Sequence, residues 1–349
     1  MTKNLKRVIW SVLVLGVIAM AIFAWFVYSA VLSPNTAFTN DEAHIYIRTD
    51  ANFADVMEEL RPLLKDAVSF EAVANRKGYP ENIKPGHYVI NKGMNNNDII
   101  NTIRINNTPV KVKFNNQERL ENLAGAVSKQ IEADSVALLN AMSDREFLAE
   151  IGQTPESALA IYLPNTYELY WNTSATDFCK RMKSEYDSFW NESRTSKARS
   201  IGLSPEQVVS LAAIVQKETA KVDERPRVAG LYVNRIKRGM LLQADPTVIY
   251  AKKKAENDFD QVIKRVLYRD LELDSPYNTY KYTGVPPGPI SMPDMSSIKA
   301  VLDHENHDYI FMVADISNPG YHKFAKTLAQ HNRNRAEYVR WINGQGVNR

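Results

Sequence analysis

A single cysteine, Cys179, is the only thiol in the chain, so no internal disulfide can form and the fold must be held by burial alone. Its neighbours Phe178, Lys180, Arg181 and Met182 read as helical, which makes a buried, inert thiol the simplest account and sets cysteine-nucleophile chemistry aside. Histidine is sparse as well, with six residues. His304 and His307 lie three apart, but no third ligand joins them at a zinc-binding spacing, so no metal is expected. Low-complexity stretches and convincing repeats are missing. So is a strong charge bias: the net charge is +3, with Lys/Arg and Asp/Glu interleaved, which argues against a dedicated nucleic-acid binder. No cofactor is expected.

Charge is missing altogether between Val8 and Asn40. The apolar part, Val8 to Leu32, is 25 residues long, enough to cross a bilayer with some tilt. Lys3, Lys6 and Arg7 precede it, and Asp41 and Glu42 are the first charges after it. The excess of positive charge on the N-terminal side predicts that residues 1–7 are a cytoplasmic tail, that 8–32 is a transmembrane helix and that the remainder lies outside. Trp10, Trp25 and Tyr28 suit the two interfaces. A cleaved signal peptide is the competing reading, but the run is long for one and Ser29-Ala30-Val31 is a mediocre cleavage site.

With 349 residues there is room for two or three domains. A first α+β unit is expected over 41–115. His44–Arg48 alternates as a strand, 52–61 and 66–76 read as helices, and Lys84-Pro85-Gly86 turns into a second strand, His87–Ile90. A helix over 96–105 and a strand over Val110–Phe114 complete it. Lys84, Lys92, Lys111 and Lys113 are candidates to meet an anionic polymer, although such scattered lysines more often form a solvated face. Beyond it, 116–349 reads as a larger mixed α+β domain. Residues 117 to about 150 look helical, as do 175–193, about 224–238 and about 325–341; Tyr309–Ala314 reads as a buried strand. Gln243–Tyr250 and Ser275–Tyr280 look like loops, and Thr283–Ile290 like an extended turn fixed by proline and opened by glycine.

The best-marked helix runs from Ser204 to Glu218. Ser204 is a good N-cap, Pro205 suits the first helical position, and Gln207 stands where a capping box needs it. Val208, Leu211 and Val215 recur at helical spacing with Ile214 beside them, and Glu218 is the next member of that stripe. A carboxylate on an apolar face is costly when ionised, so its pKa should rise, as a general acid working near neutral pH requires. Periodicity alone favours a structural role, as a surface residue or the anchor of a buried ion pair.

Several separated blocks then fall in one order: Leu211–Thr219, Arg238–Tyr250, Tyr277–Tyr280 with Gly284–Ile290, and His322-Lys323-Phe324 with His331-Asn332. Together they resemble the signature blocks of the YceG-like family of endolytic murein transglycosylases. Tyr162–Tyr167 resembles that family's Phe-Pro-Asp-Thr-Tyr element, with Leu163 and Asn165 in place of Phe and Asp; Asn165 keeps hydrogen-bonding capacity but not charge. Gln216 stands where many relatives have a glutamate. Pro85-Gly86-His87-Tyr88 is similar to an element of the family's LysM-like module.

The resemblance implies a single-pass protein of the bacterial inner membrane whose catalytic domain, outside the cytoplasm, cuts peptidoglycan glycan strands internally beside peptidoglycan synthases. Cleavage of the β-1,4 bond between N-acetylmuramic acid and N-acetylglucosamine would leave 1,6-anhydro ends. The family's catalytic position falls on Glu218. Asp245 is either a supporting residue or a second carboxylate. Gln243, Asn278 and Tyr280 are candidates to hydrogen-bond the sugars, and Arg235 and Lys217 to meet lactyl or peptide carboxylates, if they are not ordinary surface charges. Thr247, Tyr250 and Tyr167 join them as substrate-binding or supporting residues. The small unit is equally a glycan-binding module or a spacer. Two alternatives differ in kind: an inactive peptidoglycan-binding scaffold, and a hydrolase with water as nucleophile.

Overall fold

The computed structural model describes residues 3–344, which fall into two compact units. Within the described residues the first comprises 3–112 with 130–133 and 167–174; the second comprises 113–129, 134–166 and 175–344. The first opens with α1 (Lys3–Leu32), whose 30 residues include no buried side chain and are long and apolar enough to cross a membrane. Then come β1 (Glu42–Ile47), α2 (Phe53–Leu60), α3 (Ala67–Arg76), β2 (Gly86–Asn91), α4 (Asn96–Ile105) and β3 (Val110–Phe114). Strands β1 and β2 pair antiparallel, Glu42 opposite Asn91 and Ile47 opposite Gly86. The expected helices form because each start is capped. Asn52 accepts the Ala54 and Asp55 amides while Asp55 returns a bond to the Asn52 amide, and Asp66 and Asn95 cap α3 and α4. Their apolar faces meet in one core that includes Ile45, Ile47, Leu60, Phe70, Tyr88, Ile99 and Ile103.

The helical stretch expected over 117–150 is three shorter helices: α5 (Leu120–Val127), α6 (Ser135–Met142) and α7 (Arg145–Glu150). The breaks have a local cause. Asp134 and Asp144 turn their carboxylates onto the amides that follow, which favours a new helix start over continuation. After β4 (Asn165–Leu169) come α8 (Ala175–Phe189) and α9 (Glu192–Ser200), the latter capped by Asn191 and not anticipated. Cys179 is buried in α8, where loss of hydration pushes its thiol up to about 11, so it is inert at neutral pH.

The second unit is organised around α10 (Pro205–Glu218), buried continuously from Val208 to Val215 and packed against α11 (Arg225–Lys237), α12 (Asp245–Glu256) and α14 (Met295–Leu302). At about 1.5–3 kcal/mol for each fully buried Val, Leu or Ile side chain, this stripe is a major part of what holds the unit together. The loop-like reading of Gln243–Tyr250 is corrected: α12 begins at Asp245, because Pro246 falls in the first turn, where no amide is required. Between α12 and α14 lies the short α13 (Tyr268–Leu271). The chain ends with β5 (Phe311–Ala314), β6 (His322–Ala325) and α15 (Leu328–Gly344); β5 and β6 pair antiparallel with Ala314 opposite His322.

Gly230 sits buried within α11, where a Cβ would fall inside van der Waals contact of the Glu305 carbonyl oxygen and the His307 ring. Glycine to alanine in a helix interior ordinarily stabilises by about 1 kcal/mol. Here Gly230→Ala is expected to destabilise by about 1–3 kcal/mol through overpacking, read as a lowered midpoint in chemical denaturation. A raised midpoint would mean that the 305–307 loop gives way freely.

Candidate active site

The capping box predicted for α10 is formed: Gln207 N–H donates to Ser204 Oγ at 3.3 Å and Ser204 N–H to Gln207 Oε1 at 2.9 Å. Fourteen residues later the helix stops at Glu218, where Thr219 turns extended while its amide still reaches the Val215 carbonyl at 3.2 Å. Glu218 is therefore the last residue of a buried helix. Its half-buried side chain lines a cavity of about 230 Å³. Burial pushes its pKa up to about 7; the Tyr232 hydroxyl, which donates to Oε1 at 3.0 Å, pulls it down, and Asp245 pushes it up again. His322 and Arg235 pull it down more weakly. The carboxyl end of the helix dipole acts in the same upward direction as burial.

The facing wall comes from α11. Tyr232 is buried, and burial followed by the neighbouring Glu218 charge drives its own pKa well up, so it remains a hydroxyl that can donate to the carboxylate. Arg235, three residues on, also lines the cavity, yet its guanidinium is committed to main-chain oxygens. Nε donates to Ile310 O at 2.7 Å, and Nη1 to Leu242 O at 2.7 Å and Leu241 O at 3.3 Å. It thereby ties α11 to the segments that precede β5 and α12.

Gln243 enters the cavity with φ at +50°, a left-handed conformation rare for a residue with a side chain, and its amide donates to Thr279 O at 3.0 Å. Asp245 follows as the first residue of α12, also in the cavity wall, and accepts from the Tyr280 hydroxyl at 2.5 Å. Beneath them Thr247 and Thr279 share a hydroxyl bond of 2.8 Å, and both are buried. Asn278 is fully buried: its amide donates to the Leu271 and Leu273 carbonyls at 2.8 Å, and its oxygen accepts the Tyr280 amide at 3.0 Å. Asn278 and Thr247 thus shape the loop from within, while Tyr250 packs on Tyr277 with ring centres 4.7 Å apart.

The hairpin supplies the remaining wall through Met312, Val313, Ala314 and His322. His322 is gripped by Glu224, which accepts its backbone amide at 2.6 Å and its Nδ1 at 3.0 Å. Burial acts to raise Glu224, but the hydrogen bonds from His322 and Thr219 outweigh it and the carboxyl falls below its ordinary value. With Glu224 ionised, Nδ1 carries the hydrogen of that bond.

These features set a carboxyl whose pKa is raised to about 7 beside a second carboxyl group, that of Asp245, oriented by the Tyr280 hydroxyl, in one small polar cleft, an arrangement suited to proton transfer. The chain matches the profile of the YceG-like family over residues 45–337. It belongs to that family. The endolytic murein transglycosylase of Bacillus subtilis (strain 168) is 30% identical to this YceG-like chain over 294 residues, covering 79% of each. That of Streptococcus pneumoniae (strain D39) is 27% identical over 305 residues, 79% of this chain and 54% of the relative. A crystal structure of a YceG-like protein from Listeria monocytogenes superposes with a TM-score of 0.54 at 27% identity, covering 84% of this chain and 99% of the other.

Of the candidates named from the sequence of this family member, Glu218, Arg235, Gln243 and Asp245 line the cavity, and Tyr280 joins through Asp245. Lys217 is exposed and outside the cavity lining, and Tyr167 is buried in β4, also outside it. Gln216 serves α14: its Oε1 accepts the Asp294 amide at 2.5 Å and the Ser297 hydroxyl at 3.1 Å. Sequence reasoning did not single out Tyr232 or the Glu224–His322 pair. Tyr232 was legible in principle, standing one helical turn before Arg235.

A carboxyl whose pKa is higher folded than unfolded binds more protons in the native state, so its ionisation destabilises the fold as pH rises from about 4.5 to 7. Glu218→Gln removes that cost. The variant is expected to gain about 1–3 kcal/mol over the parent, absent at pH 4 and fully present above pH 7.5. Denaturation midpoints of the full chain in detergent across that range check it; a gain independent of pH would show that Glu218 is not strained by ionisation.

Proposed function

We propose that this chain is an endolytic murein transglycosylase anchored by α1, cutting glycan strands on the outer side of the cytoplasmic membrane. The observation that carries this reading is Glu218, whose pKa near 7 sits in a cavity shared with Asp245. The names of the relatives point to murein as the substrate class. The uncharged run of α1, flanked by Lys6 and Arg7 on its N-terminal side, supports an anchor with that end in the cytoplasm. The β-1,4 bond from N-acetylmuramic acid to N-acetylglucosamine is the one cleaved in this reading, and the small first unit, LysM-like, holds the strand or sets its distance from the membrane.

Protonated Glu218 donates to the glycosidic oxygen as the bond from C1 breaks. The carboxylate so formed takes the proton of the muramic C6 hydroxyl as its oxygen attacks C1, which closes the 1,6-anhydro ring and restores the acid. No water is consumed. The nucleophile belongs to the substrate, so ring closure has the advantage of proximity. Asp245, held by Tyr280, offers negative charge to the positive character that develops at C1. The same residue carries the second reading, a hydrolase in which Asp245 activates water.

Mass analysis of murein treated with the full chain separates the two. Internal fragments with anhydro ends, lost in Glu218→Gln, are expected; reducing ends would give the reaction to hydrolysis and Asp245, and intact strands with a folded protein would leave only a scaffold.

Activity is expected to fall tenfold per pH unit once Glu218 ionises above about 7. Tyr232→Phe removes the bond that favours the ionised form, so the alkaline limb is expected to move upward by up to about 1 unit. A limb that stays in place would assign it to another group.

A further inference from the structure

Beside the Glu218 cavity lies a larger one of about 770 Å³, and the two share Asp245 and Val313 in their walls. Its far side is built from the segment leading into α13 and from α15. Three cations converge there, Lys264, Arg265 and Arg335, all exposed, and none has an acidic partner within 4 Å among the described residues. Among the described residues Asp245 is the single acid in the lining, at the end shared with the Glu218 cavity, where it accepts the Tyr280 hydroxyl. His331 lines the same space, and its buried Nδ1 has no hydrogen-bond partner. This wall thus joins unpaired positive charge to an unsatisfied polar group, in a space of the size that takes a ligand.

A glycan backbone offers such a wall no counter-charge, because its hydroxyl and acetamido groups are neutral. The anionic part of a murein strand is the substituent on the muramic lactyl group: a short peptide with free carboxylates. The Glu218 cavity, at about 230 Å³, is less than a third the size of its neighbour. We infer that the larger cavity seats the carboxylate-bearing peptide of a muramic residue next to the cleaved bond, with Lys264, Arg265 and Arg335 as its counter-charges. This rests on the murein reading above and adds to it a recognition of peptide-bearing over bare strands. Because the cations are exposed, the attraction is screened by salt.

The test measures binding by the full-length Glu218→Gln protein in detergent, so that the ligand is not consumed. Two ligands are compared: a murein oligosaccharide carrying its peptides, and the same length stripped of them by an amidase, with the lactyl carboxylates that this exposes capped as methylamides so that the bare strand is neutral. The peptide-bearing ligand is expected to bind about tenfold tighter, the size of three partly exposed ion pairs. That advantage should shrink at high salt and fall to near unity with Lys264→Gln, Arg265→Gln and Arg335→Gln combined. Circular dichroism checks the fold of the combined variant; Arg335→Gln alone, on exposed α15, carries the comparison with a smaller loss should the combination not fold. Equal binding of the two ligands, or an advantage retained in the variants, overturns the inference and leaves the murein reading standing. Displacement of the peptide-bearing ligand by inorganic pyrophosphate at far lower concentration than by acetyl-D-alanine overturns the carboxylate assignment in favour of a phosphate site. Failure to bind either ligand would bring down the murein reading itself.

Discussion

Everything in the second unit depends on a carboxyl group being carried to the edge of an apolar core by the helix that forms that core. From Val208 to Val215 every side chain of α10 is buried, so the helix cannot rotate or slide without exposing that stripe. Glu218, one turn further, inherits this fixed position. A fully hydrated carboxylate would ionise near pH 4; this one is held in partial burial, where its neutral form survives to about pH 7. Fold stability and acid strength are thus two outcomes of the same packing.

The surrounding walls are rigid for a different reason. Arg235 uses its charge on three main-chain oxygens, Asn278 uses its amide on two more, and Thr247 and Thr279 bond each other. Buried side chains that satisfy loop carbonyls fix irregular backbone where no helix or sheet does so. The left-handed turn at Gln243 lies inside this network, which supplies the restraint that an unfavourable backbone conformation needs. Residues that look from their chemistry like sugar ligands are in part the scaffolding for others that face the cleft.

Legibility from sequence followed the range of the forces involved. The α10 start was readable from the capping signal of Ser204 and Gln207, the first helix of the first unit from the apolar spacing of Phe53, Val56, Met57 and Leu60, and its strands from alternation, all of them local signals. The start of α12 was misread because Asp-Pro begins a turn as readily as it begins a helix, and only tertiary packing of Val248 and Ala251 decides. Asp134 and Asp144 were readable as caps but were passed over inside an apolar-periodic stretch. The cleft itself was half visible. Glu218 and Asp245 announced themselves, and Tyr232 was legible one turn before Arg235, whereas the Glu224–His322 pair depends on chain segments that approach only in three dimensions, 98 positions apart.

That last pair sets a condition on the hairpin. Glu224 holds the backbone amide and the imidazole of the same residue, while the β5–β6 ladder places that residue opposite Ala314. In a strand a slip of one position turns every side chain to the other face, so a misaligned hairpin would offer Tyr321 or Lys323 to Glu224 in place of the imidazole. Either would put a different side chain where the imidazole stands in the cleft wall. The carboxylate works as an alignment gauge, verifying the register of two strands at the one position where an error would replace a wall of the cleft.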